Sequence, residues 1–482
     1  MKILLSALRA LFLPLVLAGS ALASEDAPRA DLALSWPEMK RPALFASGQR
    51  IACIGDSITR PGQYIIYLYD YYATRFPDRP IRLFNFGIGG DTMADALIRY
   101  ENDIRAVPCD SAVILLGMND AFRSGYGPGS GENPATLSRR KSTCDTFDQR
   151  LETLLARLAA DRIAPILCTP TYYDETTVSK YALTPGGNLA LLALAEVIKS
   201  RAQSGGYPII ELNRPLVEAN AALQTSSPST SIIGGDRVHP LVSGQAVMAW
   251  AFLREQGAPA EVATVEIDAR AKSLLASRNC EVTELAVSPN DISFRYRPFA
   301  LPLPRDKGWE AAAACTRLTR DLNQERFTVL NLPEGRWTLT IGEMDAGIFT
   351  AKELGEGINL ATLANTPQLK AADDLHALNL KRNQIETSIR GIHYLEKVMK
   401  IPGGAPEAVW REKIAAYIAS PEYQKLAPDA FYKTEADHYI EKKTREKELY
   451  QQLEEATQAM YAAFPRTAWP VRLTRSESQS AR

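Results

Sequence analysis

The side chain best placed for chemistry is a serine, Ser57, at the end of an apolar run. The run Arg50–Ile54 has the length of a β-strand and stops at Gly55, and Pro61 suits the first turn of a following helix. A serine in such a turn presents its hydroxyl at the carboxyl edge of a sheet, beside helix N–H groups that stabilise negative charge. Gly-Asp-Ser is also an ordinary turn and helix cap. By itself, this motif does not decide between a catalytic nucleophile and a structural turn.

A matching base lies far along the chain. His239 follows Asp236 by three positions, a spacing that lets the carboxylate accept a hydrogen bond from one ring nitrogen in a tight turn. The other nitrogen then faces outward as a base. A surface aspartate and a capping histidine would explain this pair alone equally well.

Two further polar groups follow predicted strands. Gly89 and Gly90 let backbone N–H groups approach a ligand closely. The run 87–89 has the start of a dinucleotide fingerprint, but Thr92 replaces the third glycine and the segment follows the second strand, which disfavours a nucleotide site. Asn119 has a side-chain amide that could donate to an oxyanion, although an Asn-Asp pair is also a common turn former.

Taken together, these groups resemble the conserved blocks of the SGNH hydrolases, also called GDSL-type esterases. The blocks are Gly55-Asp56-Ser57-Ile58, with Ile58 in place of the more familiar Leu, Gly90-Asp91-Thr92, Gly117-Met118-Asn119-Asp120 and Asp236-Arg237-Val238-His239-Pro240. The resemblance covers residues 45–258.

The resemblance implies a flavodoxin-like three-layer α/β/α fold with a parallel sheet and no metal or organic cofactor. It implies Ser57 as the nucleophile, His239 as the general base and Asp236 as the acid that orients it. The oxyanion hole would use the N–H groups of Ser57 and Gly90 and the side chain of Asn119. The substrate would be an ester that forms an acyl-enzyme.

The elements that must position these residues can be read from the hydrophobic pattern. Strand-length apolar runs alternate with helical segments, which predicts a parallel sheet with helices on both faces and a site at the carboxyl ends of the strands. The predicted strands are Arg50–Ile54, Ile81–Phe86, Ala112–Leu116, Ala164–Cys168 and Pro208–Glu211. The predicted helices lie near 62–76, 92–106, 145–160, 188–203 and 241–255. Residues 123–143 and 169–187 read as long functional loops.

The rest of the chain has a different pattern. Residues 260–365 predict a small antiparallel β unit, with strands such as Trp337–Ile341, and residues 366–475 are Lys/Glu-rich and helical. Segments such as 335–341 and 347–354 resemble a region attached to SGNH domains in many exported bacterial proteins. It could be a scaffold for the catalytic domain or a wall of the substrate groove.

Composition and the N-terminus limit the partners. The 55 basic and 56 acidic side chains give a net charge of −1, which excludes a general nucleic-acid binder. Residues 1–23 read as a signal peptide cleaved after Ala23, so we expect periplasmic export or secretion. Their apolar run is shorter than the about 20 residues of a membrane span, and Arg9 interrupts it.

Histidines and cysteines add further expectations. No two of the four histidines have the spacing of a local metal pair, so no metal site is predicted, and His376, His393 and His438 read as surface or capping residues. Cys53 and Cys168 lie in apolar strands and are expected to be buried thiols. If any disulfide forms, it would join Cys280 to Cys315.

The substrate is predicted more loosely. Tyr172 and Tyr173, on the loop after the fourth strand, could offer flat faces to a sugar ring. The hydrophilic segment 123–143 carries no broad apolar lid, which favours short acyl groups such as acetyl on carbohydrate. A lysophospholipase or other lipid esterase, an acyltransferase with the same triad and a non-catalytic carbohydrate-binding protein are the alternatives.

Overall fold

The structure is a computed structural model, and it describes residues 39–427 and 430–476. The predicted signal peptide, residues 1–23, lies outside the described residues. No helix among the described residues is long and apolar enough to cross a membrane.

The first sheet has five strands, all paired in parallel, in the order β2-β1-β3-β4-β5. Its strands are β1 (Arg50–Gly55), β2 (Arg82–Gly87), β3 (Ser111–Leu115), β4 (Ala164–Cys168) and β5 (Ile209–Ile210). The order is that of a flavodoxin-like doubly wound sheet. All five predicted strands are present, because strands covered on both faces read as continuous apolar runs.

Six helices accompany this sheet and complete a three-layer α/β arrangement. They are α1 (Gln63–Arg75), α2 (Met93–Arg99), α3 (Pro134–Ala160), α4 (Gly187–Gly205), α5 (Asn213–Ser226) and α6 (Val242–Glu255). A π-helical turn, Tyr100–Ile104, extends α2.

Segment 123–143 is not the long loop that its composition predicted. Helix α3 begins at Pro134, because Asn133 caps it by accepting hydrogen bonds from the N–H groups of Ala135 and Thr136. Two short 3-10 turns, Arg123–Gly125 and Ser130–Glu132, occupy most of the remainder. The segment 169–186, by contrast, has no regular structure, as predicted.

The following region holds two sheets rather than one small antiparallel unit. One has the order β13-β10-β6-β7 and the other β12-β11-β14-β9-β8. The strands are β6 (Glu261–Asp268), β7 (Ser273–Arg278), β8 (Cys280–Ser288), β9 (Asp291–Pro298), β10 (Gln324–Leu330), β11 (Arg336–Ile341), β12 (Met344–Thr350), β13 (Ile358–Asn359) and β14 (Trp469–Arg475). Short helices α7 (Lys307–Cys315), α8 (Leu318–Leu322) and α9 (Ala351–Glu356) interrupt them.

Two features of these sheets correct the prediction. Strand β10 pairs in parallel with β6, so the region is not purely antiparallel. Strand β14 comes from the far end of the chain and pairs with both β11 and β9. A shared apolar core that includes Phe294, Trp337 and Leu473 lies between the sheets.

The Lys/Glu-rich region is helical, as predicted. Its helices are α10 (Pro367–Met399), α11 (Glu407–Ile418), α12 (Pro421–Gln424), α13 (Phe431–Asp437), α14 (Tyr439–Thr444) and α15 (Glu446–Ala462). Helix α10 covers the outer edge of the parallel sheet, where the N–H of Asn85 in β2 donates to Glu386 (2.8 Å). Asn379 donates to the carbonyl of Ile66 in α1 (2.8 Å). An edge strand is thereby protected from pairing with another chain.

The cysteines are only partly as expected. Cys53 and Cys168 are buried thiols, as predicted. The Cys280–Cys315 disulfide is wrong, because both side chains are free thiols in separate cores. The thiol of Cys280 donates to the carbonyl of Thr264 in the β region, whereas that of Cys315 donates within α7.

Candidate active site

Ser57 lies in the turn between β1 and α1, one residue beyond a buried aspartate. The Asp56 carboxylate accepts a hydrogen bond from the N–H of Ile58 (2.8 Å), which closes the turn around the serine. Only glycine fits at position 55, because a Cβ there would lie 2.0 Å from Oγ1 of Thr59. The turn therefore leads the chain out of the sheet with the serine at its carboxyl edge.

His239 lies in a second tight turn, just before α6. The N–H of Gly234 donates to the carbonyl of His239 (2.7 Å), and Ile233 and Pro240 form an isolated β-bridge. Oδ1 of Asp236 accepts from the N–H groups of Val238 and His239, both at 3.0 Å. The carboxylate thus fixes the backbone on which the imidazole is mounted.

The two turns bring three predicted site residues together. Nε2 of His239 lies 2.7 Å from Oγ of Ser57, although 182 positions separate them. Nδ1 of His239 lies 2.5 Å from Oδ2 of Asp236. Because a carboxylate only accepts, Nδ1 carries the proton and Nε2 is left to accept the serine hydroxyl. The arrangement can remove a proton from Ser57.

The electrostatics favour an ionised aspartate. Burial raises the pKa of Asp236, but the hydrogen bonds from the N–H and ring of His239 and from the N–H of Val238 outweigh it, and the net pKa is lowered. The side chains of His239 and Asp236 are 46% and 38% exposed, so the pair is open to substrate and water.

The other predicted donors lie on neighbouring loops at the same edge of the sheet. Gly90 is exposed, with a left-handed φ of 77° and open space where a Cβ would point. The Asn119 side chain is exposed and donates to the carbonyl of Asp91 at 2.9 Å, with Oδ2 of Asp56 farther away at 3.5 Å. An amide nitrogen carries two hydrogens, so one N–H of Asn119 is engaged in holding the Gly90 loop.

Two carboxyl groups near these loops, those of Asp56 and Asp120, have raised pKa values, which the sequence did not predict. Burial raises the pKa of Asp56 to about 7, and the negative charges of Asp91 and Asp120 add to this effect. The hydrogen bond from the N–H of Ile58 lowers the pKa but does not offset the burial. Burial also raises the pKa of Asp120 to about 6. The Asp120 carboxylate accepts from the N–H of Met93 (3.0 and 3.1 Å) and so secures the start of α2.

Tyr172 and Tyr173 do not offer open faces to a sugar. They are 6% and 4% exposed, because the loop after β4 folds back over them. Tyr172 donates to Asp174 (3.0 Å), and the hydroxyl of Tyr173 accepts from the N–H of Thr184 (3.0 Å). Both tyrosines hold the loop in shape, and their prediction as sugar-binding residues is corrected accordingly.

The same loop presents an apolar rim instead, which the sequence did not reveal. Val178, Tyr181 and Leu183 are exposed, and between them Ser179 donates to the carbonyl of Gly235 in the turn that carries His239. The rim is therefore anchored to the turn that carries the imidazole. No periodic pattern marks it, because the segment has neither helical nor strand periodicity.

Two of the remaining histidines are also corrected. His376 is buried and the His393 side chain is only 9% exposed, and both pair with carboxylates, His376 with Asp70 at 2.8 Å. His438 is exposed. Within 39–427 and 430–476, no group of three or more His, Cys, Asp or Glu side chains is arranged to hold a metal ion.

The parallel sheet and the site at its carboxyl edge define an ester-hydrolysing α/β enzyme. Residues 53–247 match the model of the GDSL-like Lipase/Acylhydrolase family. The match confirms the resemblance of the sequence blocks within this segment.

Similar proteins have been described for both the segment and the longer chain. An acetylxylan esterase from Geobacillus stearothermophilus is 29% identical over 232 residues, which are 44% of this chain and 96% of that protein. The structure of a gut microbial diltiazem-metabolizing enzyme is similar to this one with a TM-score of 0.81, at 26% sequence identity. The aligned region covers 91% of this chain and 100% of the chain of that enzyme. That similarity therefore extends well beyond residues 53–247.

Proposed function

We propose that Ser57, His239 and Asp236 act as a catalytic triad and that the enzyme removes short acyl groups, above all acetyl, from carbohydrate. The observation that carries the triad is the 2.7 Å contact between Nε2 of His239 and Oγ of Ser57. The acetyl preference rests on the similarity to an acetylxylan esterase.

In the proposed mechanism His239 takes the proton of Ser57 while Oγ attacks the ester carbonyl carbon. The carbonyl oxygen gains negative charge, which the N–H groups of Ser57 and Gly90 and the amide of Asn119 stabilise. His239 then returns the proton to the leaving alcohol as the acyl-enzyme forms. It next takes a proton from water as the water oxygen attacks the acyl carbon. It gives that proton to Oγ of Ser57 as the bond between Oγ and the acyl carbon breaks and the acid is released.

Two further features support a polymeric substrate met outside the cell. The side chains of His239 and Asp236 are open to solvent, which suits an ester on a bulky chain. The sequence of residues 1–23 has the features of an export signal, and acetylated polysaccharides lie outside the cytoplasm. We therefore propose an exported enzyme, periplasmic or secreted.

One observation favours a second candidate, an esterase for longer acyl chains or lipids. The rim of Val178, Tyr181 and Leu183 places exposed apolar side chains beside the His239 turn. Apolar surface at such a position stabilises bound hydrocarbon by about 0.8 kcal/mol for each buried CH₂.

The test is a panel of para-nitrophenyl esters from acetate to palmitate, with acetylated xylan and with added sugar as an acyl acceptor. We expect the highest kcat/KM on acetate, acetate release from xylan, and loss of all turnover in Ser57→Ala. Ser204→Ala, which removes an exposed hydroxyl at the end of α4, is the matched control. Activity on long chains alone would establish the second candidate, and acetyl transfer to sugar in preference to water would indicate an acyltransferase.

A further inference from the structure

The loop that carries Gly90 is held from below by a buried carboxylate, Asp91. Its side chain has no exposed surface. Oδ2 accepts from Nε of Arg99 at 2.6 Å, and Oδ1 accepts from Nζ of Lys397 at 2.5 Å. Its carbonyl accepts from Asn119. Asp91 thus joins two of the proposed oxyanion donors to two cations.

One of those cations comes from outside the family segment. Lys397 lies in the last turn of α10, whereas the family match ends at residue 247. Its side chain is 28% exposed, and Nζ also lies 3.4 Å from Asp95 in α2. The helical region therefore supplies a charged group to the loop next to the nucleophile.

Lys397 ends a row of buried charges of alternating sign. Arg390, also in α10, donates to Asp103 at 2.9 and 3.0 Å, and Asp103 accepts from Arg99 at 2.7 Å. The four side chains from Arg390 to Asp91 are each less than a tenth exposed. In such a row, removal of one member leaves its neighbour buried without full compensation, which is strongly unfavourable.

A second contact from the helical region lies on the same loop. Tyr432 in α13 stacks on Tyr394 in α10, with ring centroids 4.0 Å apart. The Tyr432 hydroxyl approaches Gly89 so closely that a Cβ there would lie 2.8 Å from it. Residues of α10 and α13 thus pack against this loop.

We propose that Lys397 is a positioning residue for hydrolysis, which holds Asp91 so that the N–H of Gly90 and the amide of Asn119 keep their places around the acyl oxygen. The inference rests on the proposed function and deepens it. The helical region, on this view, is part of the hydrolytic machinery rather than only a scaffold. Lys397 itself does not touch the substrate.

The charge and reach of Lys397 are what the loop requires. A methionine at this position retains the apolar stem and loses the ammonium group, whereas an arginine retains the charge. A misplaced oxyanion donor lowers the rate of acyl transfer more than it weakens substrate binding, because the donor acts on charge that develops in the transition state.

The test compares Lys397→Met and Lys397→Arg with Lys443→Met in the full chain. Lys443 is a control of similar exposure, 20%, whose ammonium group bonds to Glu396 and Glu446 rather than to Asp91. We expect Lys397→Met to lower kcat on para-nitrophenyl acetate by about 10- to 100-fold, with KM within about threefold. Lys397→Arg should recover most of the loss, and Lys443→Met should keep the wild-type kcat.

Hydrogen exchange of the peptide covering residues 87–92 supplies a readout that does not depend on turnover. Its amides should exchange faster in Lys397→Met and at the wild-type rate in Lys443→Met. Unchanged exchange there, or a kcat of Lys397→Met within twofold of wild type, would overturn the inference. If the wild type hydrolyses no ester, or if Ser57→Ala hydrolyses esters as fast as wild type, the proposed function is refuted instead. The exchange result would then still decide whether Lys397 holds the loop.

Discussion

The side-chain amide of Asn119 donates to the backbone carbonyl of Asp91 at 2.9 Å. This bond ties the loop after β3 to the loop after β2, which carries Gly90. One side chain therefore has two tasks, to donate to the developing oxyanion and to fix the neighbouring loop. Both depend on an amide at this position.

The first prediction concerns this amide. Asn119→Ala should lower kcat by about 10²- to 10³-fold, since it removes one donor and loosens another. Steady-state kinetics on para-nitrophenyl acetate measure the change. Asn188→Ala, which removes an amide that bonds to Asn213 at the same edge of the sheet, is the control and should retain activity. A kcat within twofold of wild type would remove Asn119 from the site.

The second prediction concerns the acid behind the imidazole. Asp236→Asn should lower kcat by about 10⁴-fold with little change in folding, because an amide beside Nδ1 no longer holds the productive tautomer. The lowered pKa of Asp236 means that the carboxylate stays charged in weak acid, whereas an amide in its place carries no charge.

Steady-state kinetics on para-nitrophenyl acetate measure the loss, and thermal unfolding checks that the variant is folded. A kcat of Asp236→Asn within tenfold of wild type would contradict the assigned pair.

The third prediction separates backbone strain from chemistry. Gly90→Ala introduces a Cβ at φ 77° into open space, so it should destabilise the fold by about 1 kcal/mol through strain alone. Gly48→Ala is a close match, with φ 78° and equally open surroundings outside the site. Thermal unfolding should show similar losses for both variants. Alanine keeps the N–H at position 90, but its methyl group enters the open space in which the acyl group of the substrate would lie, so only Gly90→Ala should lose kcat/KM. Equal kcat/KM of the two variants would show that the substrate does not approach Gly90.

The fourth prediction concerns stability at alkaline pH. Burial lowers the pKa of His393, but Asp103, Glu396 and Glu446 outweigh it and raise the pKa to about 9. A histidine whose pKa is higher in the folded than in the unfolded state stabilises the fold at pH values below its unfolded-state pKa. This contribution is lost as the pH rises through its folded-state pKa. From about pH 7 to pH 10, wild type should lose on the order of 1–3 kcal/mol more unfolding free energy than His393→Gln.

Denaturant unfolding at a series of pH values measures this difference. His438→Gln is the control, because the His438 side chain is 55% exposed. Its stability curve should run parallel to that of wild type. A parallel curve for His393→Gln as well would contradict the raised pKa of His393 in the folded state.

The parts of the site that the sequence foretold depend on local pattern. Ser57, Asp236 and His239 lie in turns next to strands or helices, and the carboxyl ends of parallel strands meet at one edge of the sheet. Helix α5 was not among the predicted helices, although Pro215 in its first turn is compatible with a helix. The burial of Tyr172 and Tyr173 depends on how an aperiodic loop folds back, which no local pattern encodes.

Long-range contacts were also beyond reach. Lys397 meets Asp91 across 306 positions, and one lysine in a Lys/Glu-rich helix is indistinguishable from its solvated neighbours. The parallel pairing of β10 with β6 is equally invisible, because alternation along a strand does not reveal its partner.

Strand β14, residues Trp469–Arg475, occupies the middle of its sheet with β11 on one side and β9 on the other. The ribosome synthesises these residues after all the other strands of that sheet. Until then, the edges of β9 and β11 that face β14 have no strand to pair with. The sheet is therefore complete only when Trp469–Arg475 pairs with both β11 and β9. A chain truncated before β14 would expose two unpaired strand edges. Proteases and chaperones recognise such edges, which the full-length chain does not expose.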